Sequence, residues 1–219
     1  MEITPNPDME LEMLSWIDKR FQLSKPRTGM HMSTLINCLT RSYLDQYSPM
    51  PLTKLELLYF SLGFGLQDTI APTDSTETIH EFSGVTFRPD FEMPKLATEE
   101  DILGEIKTTR KRVKSIQVAR DLPDSWTRYM MGVCKASGKL TYELAILHMI
   151  EPDLCCWHVD FSQEEVDMNW DWIMMRKAVW LRCIAESRIP TPYLYCESWE
   201  CKRCRFAIIC EGLSYANSV

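Results

Sequence analysis

Apolar residues recur at helical spacing over residues 8–24, where Met9, Leu11, Met13, Leu14, Ile17 and Phe21 form a stripe. Lys25, Pro26 and Gly29 interrupt it. A second helical stripe runs over 33–47 through Leu35, Cys38, Leu39, Tyr43 and Leu44, with Ser33 as its expected cap and Pro49 and Pro51 beyond its end. A third helix is predicted over 52–70, and its Gly63 and Gly65 suggest close packing against a sheet. The period then changes from 3.6 to 2. Residues 78–82, 85–91 and 102–107 read as strands, the first two joined by a Ser83-Gly84 turn. Residues 123–138 return to helix, with Asp124 or Ser125 as cap and Gly138 as stop. Strands are predicted over 140–149 and 154–161, then a long helix over 163–187 closed by Pro190 and Pro192. The remaining tail reads as irregular. The order of elements predicts an α/β fold, a mixed five-stranded sheet with an inserted helix and further helices around it.

Composition narrows the picture. A chain of 219 residues, 45% of them apolar, can bury one core, and no repeat or low-complexity linker divides it. We therefore expect a single domain over 1–219, made of a helical part (1–73), a core (74–187) and a cysteine-rich tail (188–219). No apolar run approaches the ~20 residues of a membrane span, and the first residues are acidic, so the reading is of a cytoplasmic chain without a secretory or transit peptide. In that setting nine cysteines point to metal ligation rather than to a disulfide scaffold. The net charge of −7 argues against nucleic acid as a whole, but five of the eight residues at 107–114 are basic, and phosphate affinity follows local charge.

Two constellations carry chemistry. Asp90 and Glu105 fall on neighbouring predicted strands, and Lys107 lies two residues past Glu105, hence on the same face. Two carboxylates can hold a divalent cation, with the Ile106 carbonyl as a third ligand. An ammonium beside them can orient a water or neutralise the charge that builds on a phosphodiester under attack. The basic strip would then lie along the backbone of the substrate. The second constellation is the tail, where Cys201, Cys204 and Cys210 have C-x2-C-x5-C spacing. Such a site takes a fourth thiol, Cys196 nearby or Cys38 more than 160 residues away, and the spacing suits zinc and an iron–sulfur cluster alike. Cys134, Cys155, Cys156 and Cys183 read as buried structural residues, and His80, His148 and His158 as strand or core residues.

Together these residues resemble the RecB-like branch of the PD-(D/E)xK nucleases, specifically the iron–sulfur CRISPR-associated exonuclease family and its phage-encoded relatives. The resemblance covers nearly the whole chain. It is carried by Cys38 with Arg41, Tyr43 and Leu44; by Asp90 in Phe87-Arg88-Pro89-Asp90-Phe91; by Glu105, Ile106 and Lys107; and by Cys201, Cys204 and Cys210. It implies a restriction-endonuclease-like core of mixed sheet flanked by helices, N-terminal helices and a C-terminal cluster tail. It also implies a [4Fe-4S] cluster on Cys38, Cys201, Cys204 and Cys210, catalysis by Asp90, Glu105 and Lys107, and Mn2+ or Mg2+ on Asp90, Glu105, Ile106 and Gln67. The activity implied is a metal-dependent DNA exonuclease, favouring single strands or frayed ends, in DNA end processing, CRISPR spacer acquisition or phage DNA metabolism. Implied partners are DNA, CRISPR integrase proteins and a second copy of the chain, with no membrane. Two positions depart from the family pattern. Gln67 stands where the family carries a metal-binding histidine, and Tyr129 and Val133 stand at the places of its Q-x-x-x-Y motif. Two other readings fit the same residues: a non-catalytic or partner-dependent DNA-binding subunit of a spacer-integration complex, and a zinc-knuckle DNA-binding module.

Overall fold

In the computed structural model, which describes residues 6–22, 30–71, 79–94 and 101–216, the elements follow the expected order with three changes. Helices α1 (Pro7–Gln22) and α4 (Lys54–Ile70) stand where the periodicity places them and pack on each other. The expected second helix is two: α2 (Met32–Ile36) and α3 (Leu39–Tyr47). The break lies at Asn37–Cys38, whose backbone is extended, and Cys38 is the N-cap of α3, its sulfur accepting the Arg41 N–H at 3.4 Å. The cap of α2 is His31, not Ser33. Gly63 and Gly65 face open space rather than the sheet, so their effect is to loosen α4 and not to admit a close neighbour.

The expected five-stranded sheet is a hairpin plus a four-stranded sheet. Strands β1 (His80–Phe82) and β2 (Val85–Phe87) pair antiparallel. Ser83 (φ 50°) and Gly84 (φ 67°) form a two-residue turn with positive φ at both positions, the geometry that suits the twist of a hairpin. Residue 78, expected to begin the first strand, lies outside the described residues. The stretch 85–91 is not one strand: Pro89 lacks the N–H that a ladder needs, and the chain breaks between Phe87 and Phe91. Strand β3 (Phe91–Pro94) then joins β4 (Asp101–Thr109), β5 (Thr141–His148) and β6 (Asp153–Asp160) in the order β3-β4-β5-β6. Within this sheet β4 and β5 pair parallel, linked by a crossover through two short 3-10 turns and α5 (Asp124–Ser137), and the other described pairs are antiparallel. Pro123, rather than Asp124 or Ser125, caps α5, and Gly138 ends it in the left-handed conformation.

The long helix α6 (Gln163–Ala185) begins on a capping box. Ser162 Oγ accepts the Glu165 N–H at 3.2 Å while the Glu165 carboxylate accepts the Ser162 N–H at 2.8 Å. Helices α2, α5 and α6 pack together, and their inner residues Met32, Leu35, Met130, Val133 and Ile173 meet Tyr142, Leu144 and Ile146 of β5 in one buried core. Trp170 and Trp180 belong to that core and Trp126, Trp157 and Trp172 border it. The tail is more regular than expected, containing α7 (Ser198–Cys201) and α8 (Ala207–Ala216). No helix among the described residues is long and apolar enough to cross a membrane.

Candidate active site and cysteine centre

Strand β4 is the platform of the first site. On one side β5 pairs with it from Gly104 to Thr109, but on the other side β3 covers only Asp101 to Gly104. Beyond Gly104 that edge of β4 has no strand partner among the described residues, and Asp90 takes over. Its N–H donates to the Gly104 carbonyl at 3.0 Å, and its carboxylate accepts the next outward-facing N–H, that of Ile106, at 2.8 Å. A strand residue's N–H and C=O point to the same side, so the Ile106 carbonyl faces the same open edge as the Asp90 carboxylate.

Glu105 lies in the middle of β4 and not at a strand end, and is 5% exposed. Its carboxylate receives the Lys107 ammonium on one oxygen and the Tyr142 hydroxyl, at 3.3 Å, on the other. Lys107 reaches it because alternate strand residues share a face. Burial pushes the Glu105 carboxyl up to about 7; the Lys107 ammonium opposes that rise and the charge of Asp90 adds to it. The structure thus brings together Asp90, Glu105 and Lys107. Tyr129 on α5 completes the surroundings: the Lys107 ammonium lies over its ring, 5.8 Å from the centroid. Its hydroxyl donates to the Arg88 carbonyl at 2.7 Å and accepts the Arg88 N–H at 3.2 Å, tying the loop that carries Asp90 to α5.

Other residues singled out in the sequence lie elsewhere. Gln67 falls on α4, which packs against β4, but its side chain lies outside the described residues. Val133 is buried in the core. His80 pairs with Glu92 at 3.1 Å and stacks on Phe87, His148 is buried with a ring nitrogen 2.7 Å from the Lys111 carbonyl oxygen, and His158 contacts Glu143 and Asp160. Tyr142 went unnoticed in the sequence. Its signal was a hydroxyl-bearing aromatic in an otherwise apolar inward set, since a buried tyrosine needs a partner for its oxygen.

The second site gathers thiols from both ends of the chain. Cys38, Cys196, Cys201, Cys204 and Cys210 line one cavity with Arg41, Tyr193, Glu200 and Ala207. Glu200 closes the long loop by accepting the Cys38 N–H at 2.9 Å. Arg176, buried on α6, holds the same junction: it donates to the carbonyls of Leu35, Asn37 (2.6 Å) and Tyr195 (3.0 Å) while stacking near Trp172 and Tyr195. Both candidates for the fourth thiol are therefore present, and the Cys196 and Cys201 sulfurs are 3.5 Å apart. Burial raises the Cys38, Cys204 and Cys210 thiols, Cys210 to about 11, and neighbouring thiols raise them further. Among the described residues no three His, Cys, Asp or Glu side chains are arranged to hold a single metal ion. Of the remaining cysteines Cys134 and Cys183 are buried as expected and Cys155 is half-buried. Cys156 is exposed, because β6 is an edge strand and Cys156 falls on its outer face.

Comparison with known proteins bears on the fold. No family model matches the sequence and no curated protein matches it. Among solved structures, the fold is similar to the crystal structure of SSO0001, at a TM-score of 0.58 and 16% identity, covering 94% of this chain and 98% of that one. A weaker likeness is to an alkaline exonuclease (LHK-Exo) from Laribacter hongkongensis, at a TM-score of 0.44 and 11% identity over 73% of this chain and 91% of that one.

Proposed function

We propose that the protein is a metal-dependent nuclease that cleaves DNA at the open edge of β4, acting from ends and favouring single strands. The observation that carries this reading is the convergence of Asp90, Glu105 and Lys107, with the Asp90 carboxylate seated on the Ile106 amide 2.8 Å away. Two carboxylates and a backbone carbonyl form an all-oxygen donor set, which suits Mg2+ or Mn2+, cations that keep several waters and bind through one or two carboxylates plus substrate phosphate. Asp90, Glu105 and the Ile106 carbonyl are the groups that would hold such an ion, which when bound supplies Lewis acidity toward a phosphate oxygen and a more acidic water.

The chain's own groups do the rest. The Lys107 ammonium opposes the rise that burial imposes on the Glu105 carboxyl and stands ready to face the negative charge that builds on the phosphate. Tyr142 holds the second Glu105 oxygen, fixing its rotamer. Tyr129 fixes Arg88 and with it the approach of Asp90. The strip from Arg110 to Lys114 continues from the end of β4, and its Arg110, Lys111 and Lys114 offer cations to the substrate backbone, Arg112 being paired with Glu151.

The cysteine centre fits the iron–sulfur cluster that the resemblance implies. The donors are soft thiols and they line one cavity, a donor set that suits a cluster and zinc alike; the resemblance is what favours the cluster. Cys38, Cys201, Cys204 and Cys210 would hold the cluster, whose role is to clamp the tail to the N-terminal helices.

The test uses DNA labelled at either end, single- and double-stranded, incubated with Mn2+ or Mg2+ and in parallel with chelator. Metal-dependent loss of label by the wild type, abolished in Asp90→Ala, Glu105→Gln and Lys107→Ala, is expected. Wild-type activity in any of the three removes the assignment. Absence of cleavage by the wild type, with DNA binding retained, favours the reading as a non-catalytic or partner-dependent subunit.

A further inference from the structure

Three residues from distant parts of the chain meet on the surface. Tyr59 lies on α4, Arg110 just past the end of β4, and Arg203 between Cys201 and Cys204 in the tail. The Tyr59 hydroxyl accepts from both guanidiniums, from Arg203 Nη1 at 2.8 Å and from Arg110 Nη1 at 3.3 Å. Arg203 also lies against the Tyr59 ring, 6.0 Å from its centroid. Neither arginine has a carboxylate partner among the described residues. The contrast with the neighbouring arginines is informative. Arg41 and Arg205 are neutralised by Asp45 and Glu56, and Arg112 by Glu151. Like charges repel, and two guanidiniums drawn to one neutral oxygen leave a place where an anion is favoured. The planar fork of each guanidinium matches two oxygens of a phosphate.

We propose that Arg110 and Arg203, gathered on the Tyr59 hydroxyl, form a phosphodiester-binding subsite beside the nuclease centre. The proposal rests on the nuclease reading for the identity of the polymer and extends it by giving the cysteine tail a direct part in substrate binding. Arg110 is three residues past Lys107, about 10 Å along an extended chain, so the subsite grips the strand next to the phosphate being cut. Arg203 is positioned by the turn between two of the clustered cysteines, so the tail's fold sets the spacing of the pair.

The experiment measures binding of a fluorescent single-stranded oligonucleotide to the full chain in chelator across a salt series, for wild type, Arg110→Gln, Arg203→Gln and the double variant. The Arg188→Gln variant removes the same charge from an arginine that pairs with Glu186. We expect the slope of log affinity against log salt to shrink by about 0.7 for each single variant, to shrink further in the double, and to stay unchanged in Arg188→Gln. Wild-type slopes in both Arg110 and Arg203 variants overturn the subsite while leaving the nuclease reading intact. A lower melting temperature in Arg203→Gln with an unchanged slope makes the arginine a structural tether and equally overturns it. If the wild type binds no DNA at any salt, the nuclease reading falls together with the subsite.

Discussion

The ring of Phe91 lies across Gly104: a Cβ built on Gly104 would stand 1.9 Å from the nearest ring atom. The two residues are directly paired between β3 and β4, and each sits next to an acid of the proposed site, Asp90 before Phe91 and Glu105 after Gly104. The aromatic ring therefore covers a strand position that only glycine can occupy and locks the register that sets Asp90 on the Ile106 amide.

Gly104→Ala is expected to push Phe91 off the strand and cost roughly 1–3 kcal/mol, as overpacking does. Urea unfolding measures the loss, and metal-dependent cleavage is expected to fall with it because Asp90 moves with Phe91. Adding Phe91→Leu to Gly104→Ala should restore part of both; a double variant no better than the single would show that the ring is not the obstacle.

Stability of the metal-free protein should depend on Glu105. Its carboxyl is raised to about 7 in the folded state, above its ordinary value of 4.5. Between those values the folded chain holds a proton that the unfolded chain has released. Stability is therefore full below about pH 4.5 and falls as the pH rises through 7, by an amount on the order of 3 kcal/mol. Glu105→Gln should flatten that fall in denaturant titrations run in chelator at pH 5 and pH 8. An equally steep decline in the variant would place the effect elsewhere.

Cation binding should run the other way with pH, because the ligand must be deprotonated. Mn2+ affinity, followed by calorimetry, is expected to rise with pH up to about 7 and then level. Tyr142→Phe removes a hydrogen bond that favours the charged carboxylate, so its affinity curve should shift to higher pH. A curve identical to wild type would remove Tyr142 from the site.

Arg176 holds three backbone carbonyls at the junction of the α2–α3 break with the tail. Arg176→Met removes this donor from the Leu35 and Asn37 carbonyls, while the Tyr195 carbonyl keeps the Leu39 N–H at 3.4 Å, and should cost roughly 3 kcal/mol. Arg176→Lys keeps the charge but not the fork and should recover only part of it. Circular dichroism melts give the ranking, and retained wild-type stability in the Met variant would contradict the role.

The two candidate fourth thiols separate by substitution. Cys38→Ser, Cys201→Ser and Cys204→Ser are expected to lose iron, acid-labile sulfide and visible absorbance, whereas Cys196→Ser keeps them. The reverse result for Cys38 and Cys196 would exchange their parts, and full zinc with no iron in the wild type would replace the cluster by a mononuclear centre.

What the sequence determined by itself was local in origin. The periods of 3.6 and 2 placed α1, α4, α5, α6 and the strands β4, β5 and β6, the Ser83-Gly84 turn and the Gly138 stop were readable because positive φ favours few residues, and alternation alone put Lys107 beside Glu105. The C-x2-C-x5-C spacing announced a thiol centre. The tertiary structure decided what depends on neighbours far along the chain. Pro89 broke a strand that its apolar flanks had suggested, leaving an open edge for Asp90; Gly104 mattered only because Phe91 lay over it. Cys38 proved to be a helix cap at a backbone break, brought to the tail by Glu200 and Arg176 across more than a hundred residues. Periodicity records which side of an element is buried, but not what it is buried against. The acidity of Glu105, the role of Tyr142 and the meeting of Arg110 with Arg203 on one hydroxyl arise from that second kind of information.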